Sequence, residues 1–291
     1  MAVNAQRILV AGASGYLGGF VAQEYKSRGY FVRALARSPG KLDHMKPMLD
    51  DIVKGEITQP DTISGVCDGI DVVFSSIGIT RQKGKLTFRD VDCQGNKNLL
   101  GVAQRAGVRK FIYVSVFNGP NLLHLDIVKA HEDFVAELKA SGTDYAVIRP
   151  TGYFSDMGDF FKMAARGRVY LLGNGQNRVN PIHGANLAGV CADAVEDVGQ
   201  EVNAGGPEIL SWREIAELAF DALNRPVKIS ALPIWLGKAA VSATRIVNRH
   251  QGELLAFFTT MATCEVVAPV VGTHTLARHF EHLAQSERRA G

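Results

Sequence analysis

The chain has 291 residues, 46% of them hydrophobic, enough to bury a substantial core as one large domain or as a domain with a modest extension. The formal net charge is only +3 and the Lys and Arg residues are scattered. Charge therefore gives no support to nucleic-acid binding, and no RNA-binding motif is present. Four cysteines, Cys67, Cys93, Cys191 and Cys264, stand far apart without paired spacing. That argues for reduced, buried thiols in a cytoplasmic protein and against a disulfide framework or zinc site. About six residues precede the first expected strand, too few for the charged and apolar regions of a signal peptide, which again points to the cytoplasm.

The first element is the run Arg7-Ile-Leu-Val-Ala-Gly-Ala-Ser-Gly-Tyr-Leu-Gly18, where a short apolar stretch ends at three glycines spaced three apart. It reads as a strand, a tight turn and a helix start. Gly12 can take positive φ, Gly15 lets backbone approach a pyrophosphate, and Gly18 lets the helix press against the strand. Ser14, Tyr16 and Leu17 belong to the same turn. The helix N-terminus offers unpaired N–H groups and a positive dipole end to phosphates. Its place between a strand and an amphipathic helix makes this spacing a dinucleotide fingerprint; the bare alternative is a βα turn that binds nothing.

The unit then repeats. Strands are expected near 7–11, 30–35, 51–55, 70–75, 109–115 and 143–148, with helical patterns near 16–28, 39–48, 60–66, 88–106 and 125–141. Runs apolar on both faces, such as Lys110-Phe-Ile-Tyr-Val-Ser115, describe a sheet covered on both sides. The fold class is α/β, a doubly wound parallel Rossmann sheet, followed by a small C-terminal α/β lobe and a helical tail.

At the end of the second strand a site for NAD carries an acidic residue, but here the chain reads Phe31-Val-Arg-Ala-Leu-Ala-Arg37-Ser-Pro-Gly-Lys41. Arg37 offers a planar fork to a 2′-phosphate and Lys41 a second positive charge, which favours NADP(H) over NAD(H). The other reading is a solvated pair on a loop rim. Glu56 and Ile57 follow the third strand where an adenine would lie, and Ser75, Ser76, Ile77 and Gly78 line the cofactor's path after the fourth. Asn96 faces the same sheet edge, either as a ligand contact or as a bridge between backbones.

Five stretches together resemble the atypical short-chain dehydrogenase/reductases, with NmrA-like and divinyl-reductase-like proteins as the nearest branches. They are Gly12-x-x-Gly15-x-x-Gly18, Val32-Arg-Ala-Leu-Ala-Arg37, Asp71-Val-Val-Phe-Ser75, Val108-Arg-Lys-Phe-Ile-Tyr-Val-Ser115 and Tyr145-Ala-Val-Ile-Arg-Pro150. The resemblance covers roughly residues 7 to 230 and implies the fold and the cofactor. For the reaction it implies reductases, epimerases or cofactor sensors. It also implies a serine after the fifth strand and a tyrosine four residues before a lysine. Ser115 and Lys129 match, but Leu125 stands at the tyrosine position.

An ordinary alcohol dehydrogenase is therefore not expected, because the proton-shuttling phenol is missing there. The proton sources that remain are Lys129, if burial lowers its pKa, Tyr153 after the Arg149-Pro150 turn, and His124. Lys129 stands first among them, with ribose binding as its other role; Tyr153 also reads as a core aromatic. Pro150 is placed beside the nicotinamide.

Residues 1–150 form the expected NAD(P)-binding core and 151–291 a lobe and tail interleaved with it as one structural unit. In the lobe, Tyr153-Phe-Ser-Asp-Met157-Gly-Asp-Phe160-Phe161-Lys-Met163 suits either a large apolar substrate or helix packing. Ser211 and Glu214 form a capping box for a helix from Trp212 to Leu223. The tail has two strongly apolar helical stretches, 233–247 and 253–261, interrupted by Lys238, Arg245 and Glu265 before a membrane span accumulates. Packing on the lobe is favoured over a homodimer contact or shallow membrane association. His279 and His282, with His274 nearby, read as a solvated helix face, and no metal is expected. The chain as a whole reads as an NADP(H)-dependent reductase of an apolar or conjugated small molecule. The competing reading is an NADP(H)-binding redox sensor or assembly factor that works through a protein partner.

Overall fold

The structure, a computed structural model, describes residues 5–78, 86–197 and 200–290. The first part runs β1 (Arg7–Ala11), α1 (Tyr16–Ser27), β2 (Phe31–Ala36), a 3₁₀ segment (Pro39–Met48), β3 (Asp51–Lys54), a 3₁₀ turn (Pro60–Ile63) and β4 (Val72–Ser75). A π-helical turn (Arg89–Gly95) leads into α2 (Asn96–Arg105), then come β5 (Lys110–Val114), α3 (Asp126–Ala140) and β6 (Asp144–Pro150). The remainder comprises α4 (Phe154–Ala165), β7 (Val169–Leu172), β8 (Arg178–Val179), α5 (Gly184–Asp193), β9 (Gln200–Ala204), β10 (Leu210–Ser211) and α6 (Trp212–Ala222). β11 (Ile229–Leu232), α7 (Ile234–Val247), α8 (Arg249–Thr263) and α9 (Leu276–Ala290) follow.

Seven strands form one sheet in the order β3-β2-β1-β4-β5-β6-β9, and the neighbours from β3 to β6 pair in parallel. This is the doubly wound Rossmann arrangement expected from the alternating apolar runs. β1, β4 and β5 are buried almost throughout, as strands covered on both faces must be. The chain order reverses between β1 and β4, so the switch point of the sheet lies where Ala11 pairs with Ser75. Ligands of open α/β sheets bind beyond the carboxyl ends of strands at such a point.

The chain divides into two compact units, Met1–Arg149 with Leu187–Val202, and Pro150–Asn186 with Asn203–Gly291. In the second, β7 pairs with β11 in parallel and β8 with β10 antiparallel. The capping box forms: the Glu214 N–H donates to Ser211 Oγ at 3.2 Å and the Ser211 N–H to Glu214 Oε2 at 2.7 Å. α9 buries Leu276, Phe280 and Ala284, with Phe280 against Phe161. In the tail, α7 packs by one face, with Gly237 and Val241 buried and Gly237 against Leu172 of β7, while its outward face stays exposed. Among the described residues no helix is long and apolar enough to cross a membrane. All four cysteines are unpaired; Cys264 is exposed, and burial pushes the Cys67 thiol up to about 12.

Candidate functional site

The three glycines of the first turn do different work. Gly12 sits at φ +98, and a Cβ there would lie 2.9 Å from Ser76 Oγ. A Cβ on Gly18 would overlap the Gly12 carbonyl oxygen and fall 2.6 Å from its carbon, so this glycine allows α1 to cross tightly over the turn. Gly15 is exposed, has an ordinary φ of −85, and would bring a Cβ only to 3.2 Å from the Gly12 oxygen. The fold thus accounts for Gly12 and Gly18, whereas the bare backbone of Gly15 faces outward. Its N–H donates to the Gly12 carbonyl at 2.8 Å. Helix α1 begins at Tyr16 with no side-chain cap and no acidic residue in its first turn, which leaves its end electropositive. Ser14 is exposed beside it, while Leu17 is buried beneath.

At the end of β2, Arg37 projects with 63% of its side chain exposed, and Lys41 is exposed in the 3₁₀ segment that follows. A carboxylate does reach this place, from β3 instead of β2: Glu56 Oε1 lies 3.4 Å from Arg37 Nη1. Glu56 and Ile57 are held by partners that sequence reasoning missed. The Glu56 N–H donates to Thr62 Oγ1 at 2.9 Å and the Ile57 carbonyl accepts from Asn98 Nδ2 at 2.8 Å. Ile57 is buried, and a Cβ on Gly95 would lie 2.7 Å from its Cδ1.

Beyond β4, Ser76 joins the loop to β1 by donating its N–H to the Ala11 carbonyl at 3.1 Å. Ser75 and Asn96 are fully buried and bonded to each other, Ser75 Oγ to Asn96 Oδ1 at 2.6 Å. Asn96 Nδ2 also donates to the Ile77 and Asp92 carbonyls at 3.2 and 2.9 Å. Asn96 is therefore a bridge between backbones that fixes the course of residues 75–77 toward the exposed Gly78.

The serine and lysine at the end of β5 and in α3 are each held by carboxylates. Ser115 is buried, its hydroxyl donating to Glu132 Oε1 at 2.7 Å and accepting from Arg149 Nη1 at 3.3 Å. Arg149 grips Glu132 with two further bonds of 2.6 and 2.8 Å and reaches Glu201 at 2.8 Å. Burial opposes the Arg149 charge, but the bonds and charges of Glu132 and Glu201 outweigh it and raise its pKa. Lys129 does not have the buried setting that an acid role asks for. Its side chain is 56% exposed and its ammonium binds Asp133 at 2.7 and 2.8 Å. Leu125 is buried at the start of α3 and His124 is exposed.

A second polar cluster was not visible in the sequence. Tyr113 on β5 and His131 on α3 meet at 2.6 Å, Oη to Nδ1, and His131 Nε2 lies 3.1 Å from Asp92 Oδ1 in the π-helical turn. All three are buried, and burial first, then Asp92, raises the Tyr113 pKa so that the phenol stays protonated. A Cβ on Gly78 would fall 2.8 Å from Asp92 Oδ1, which sets this cluster directly under the loop after β4. Asp92 stands among the polar residues of Arg89–Gly95, so its burial had no signal in the sequence; π-turns are frequent at functional sites.

In the second unit, Pro150 is buried at its start and Tyr153 is half-buried ahead of α4, its N–H bonded to Asp156 Oδ2 at 3.2 Å. His183, missed in the sequence, stacks on His274 with ring centroids 4.3 Å apart and meets His279 at 6.3 Å. Burial, reinforced by His274, His279 and His282, draws the His183 pKa down to about 4. Among the described residues no group of three His, Cys, Asp or Glu could hold a metal ion. His279 is drawn down by burial as well, so the solvated face expected for this helix holds only in part.

A glycine turn at the sheet's switch point, an uncapped helix behind it and a basic rim at the end of β2 define a dinucleotide-binding Rossmann protein. The chain belongs to the NAD(P)H-binding family, whose model matches residues 12–198, within the atypical short-chain dehydrogenase/reductases. The Photosystem II assembly factor Ycf39 of Synechocystis sp. is 27% identical over 268 residues, 88% of this chain and 80% of that protein. The divinyl chlorophyllide a 8-vinyl-reductase of Cucumis sativus is 30% identical over 257 residues, 80% of this chain and 61% of the reductase. The chain thus spans about three fifths of that reductase's length. The leucoanthocyanidin reductase of Vitis vinifera, solved with NADPH, superposes with a TM-score of 0.77 at 18% identity, over 96% of this chain and 99% of that one. At that identity the likeness concerns the fold.

Proposed function

We propose that the protein is an NADP(H)-dependent oxidoreductase that reduces an apolar or conjugated small molecule. The observation that carries this reading is Gly15, an exposed backbone position at an uncapped helix end, where a Cβ would make a tight 3.2 Å contact with the Gly12 oxygen but none of the overlap seen at Gly18. A pyrophosphate fits there, taking N–H bonds from the loop and the favourable end of the α1 dipole. Arg37 and Lys41 supply the charge that a 2′-phosphate requires, and Glu56 competes for Arg37 when that phosphate is absent. NADPH, when bound, supplies a hydride to an electrophilic carbon of the acceptor.

The chain's own residues hold the reacting end. Lys129, exposed and steadied by Asp133, donates hydrogen bonds to ribose hydroxyls and so orients the cofactor, while water supplies the proton to the reduced acceptor. The Glu132–Arg149 pair keeps the Ser115 hydroxyl fixed at the end of β5. With leucine at position 125, a conjugated acceptor that takes its proton slowly suits this arrangement better than an alcohol.

One observation favours a second reading, a cofactor-binding sensor or assembly factor without turnover: both Ser115 and Lys129 are already engaged by carboxylates. The identity shared with an assembly factor points the same way. Anaerobic single-turnover oxidation of NADPH against a panel of quinones and conjugated enones separates the two. Consumption of NADPH with formation of reduced product supports the oxidoreductase, and tight binding without oxidation supports the sensor.

A further inference from the structure

Helix α7 is apolar on two opposite faces, and the protein covers one. Gly237 and Val241 are buried and Thr244 is half-buried on the side that meets α8. A Cβ on Gly237 would lie 3.5 Å from Thr259 Cγ2, and one on Gly252 would lie 2.7 Å from the Arg245 backbone nitrogen, so small residues let the two helices close together. On the other side Trp235, Ala239, Ala243 and Ile246 recur every three or four residues, flanked by Leu236 and Val247. Trp235 is 67% exposed, Ile246 87% and Val247 88%. Single exposed apolar side chains are ordinary, but a stripe the length of a helix is a surface built to be covered.

The charge around the stripe indicates what covers it. From Ile234 to Gln251, α7 and the start of α8, the chain has no acidic residue, while Lys238, Arg245 and Arg249 fall there. Arg245 is bonded to Glu253, with Nε 2.9 Å from Oε1, and Lys238 is exposed at the flank of the stripe. Two copies of this helix packed about a two-fold axis would set cation against cation. A bilayer with anionic headgroups accepts both features at once, acyl chains taking the stripe and headgroups the cations. At 14 residues the helix is roughly 21 Å long, too short for a hydrocarbon core of about 30 Å, so it would lie in the interface.

We infer that α7 is an interfacial helix that docks the protein on a membrane surface rich in anionic lipid, a conclusion independent of the cofactor reading. The test is co-sedimentation of the full chain with vesicles of phosphatidylcholine alone and of phosphatidylcholine mixed with phosphatidylglycerol. Binding is expected to the mixed vesicles, weakened by salt, and at least about tenfold less to phosphatidylcholine. The tryptophan emission should shift to the blue on binding. Trp212, the other tryptophan, is stacked on Phe160 at 5.6 Å, so Trp235→Phe should abolish the shift. Trp235→Glu and Ile246→Glu, at exposed positions, should keep the native circular dichroism and lose binding by roughly tenfold or more. Absence of binding to either vesicle overturns the inference, as does undiminished binding by both folded glutamate variants. A dimer that Trp235→Glu dissociates, seen without vesicle binding, would assign the stripe to a second copy instead.

Discussion

Replacing Gly15 and Gly18 separately by alanine divides the glycine turn into the part that serves the fold and the part that serves the ligand. In Gly18→Ala the new methyl would overlap the Gly12 carbonyl, with backbone atoms 2.6 and 2.9 Å away and no flexible side chain to yield. Overpacking of this kind costs up to about 3 kcal/mol, which in a chain of this size lowers Tm by roughly 5–10 °C. In Gly15→Ala the methyl is exposed, φ is already −85, and the nearest atom is 3.2 Å away, so the fold loses under about 1 kcal/mol. A pyrophosphate held by this backbone, however, would be pushed off at least one charge-assisted hydrogen bond of about 1.5–3 kcal/mol, a loss of roughly 10- to 100-fold in affinity. Thermal melts by circular dichroism measure the first effect and calorimetric titration with NADPH the second. A Gly15→Ala protein that melts normally and binds NADPH with native affinity would refute the assignment of this loop to the cofactor.

Arg37→Ala should weaken NADPH binding by roughly 10- to 100-fold and leave NADH nearly unchanged, because only the 2′-phosphate uses that guanidinium. Glu56→Gln, which frees Arg37 from an exposed pair worth at most about 1 kcal/mol, should tighten NADPH up to about fivefold; unchanged affinity would show that the pair does not compete. Lys129→Met alters an exposed side chain, so stability should stay within about 0.5 kcal/mol while single-turnover oxidation falls at least about tenfold. Equal rates would remove Lys129 from the mechanism. Acidification probes the second unit: His183 has its pKa depressed from 6.5 to about 4, so over that window the unfolded chain takes up a proton that the folded chain refuses. Stability should fall as pH drops through this range and level off below it, and His183→Phe should flatten the slope. A slope unchanged in that variant would assign the loss to other groups.

The sheet was legible because buried parallel strands must be apolar on both faces, and β1, β4 and β5 are short runs of that kind ended by turns. Local geometry was legible too: the positive φ of Gly12 and the Ser211–Glu214 box depend on residues within a few positions of one another. Contacts between distant segments were not. Glu56 reaches Arg37 from a neighbouring strand, and Tyr113, His131 and Asp92 come from a strand, a helix and a π-turn. Leu125 caps the start of α3, its carbonyl accepting the Lys129 N–H at 2.8 Å, but that it is buried while Lys129 points outward to Asp133 was not legible from the motif. Periodicity likewise identifies an apolar stretch without saying which faces are covered, so the sequence did not separate the packed inner face of α7 from its exposed outer stripe.

The central claim, that NADPH bound at the switch point of the sheet reduces an acceptor, is tested most directly by single-turnover mixing of the NADPH-loaded protein with conjugated acceptors in the absence of oxygen. The account predicts loss of the reduced-nicotinamide absorbance in step with the reduced product, fast in the native protein and at least about tenfold slower in Lys129→Met. Saturating NADPH binding with no oxidation across the panel would contradict it and leave the protein as a cofactor-binding sensor.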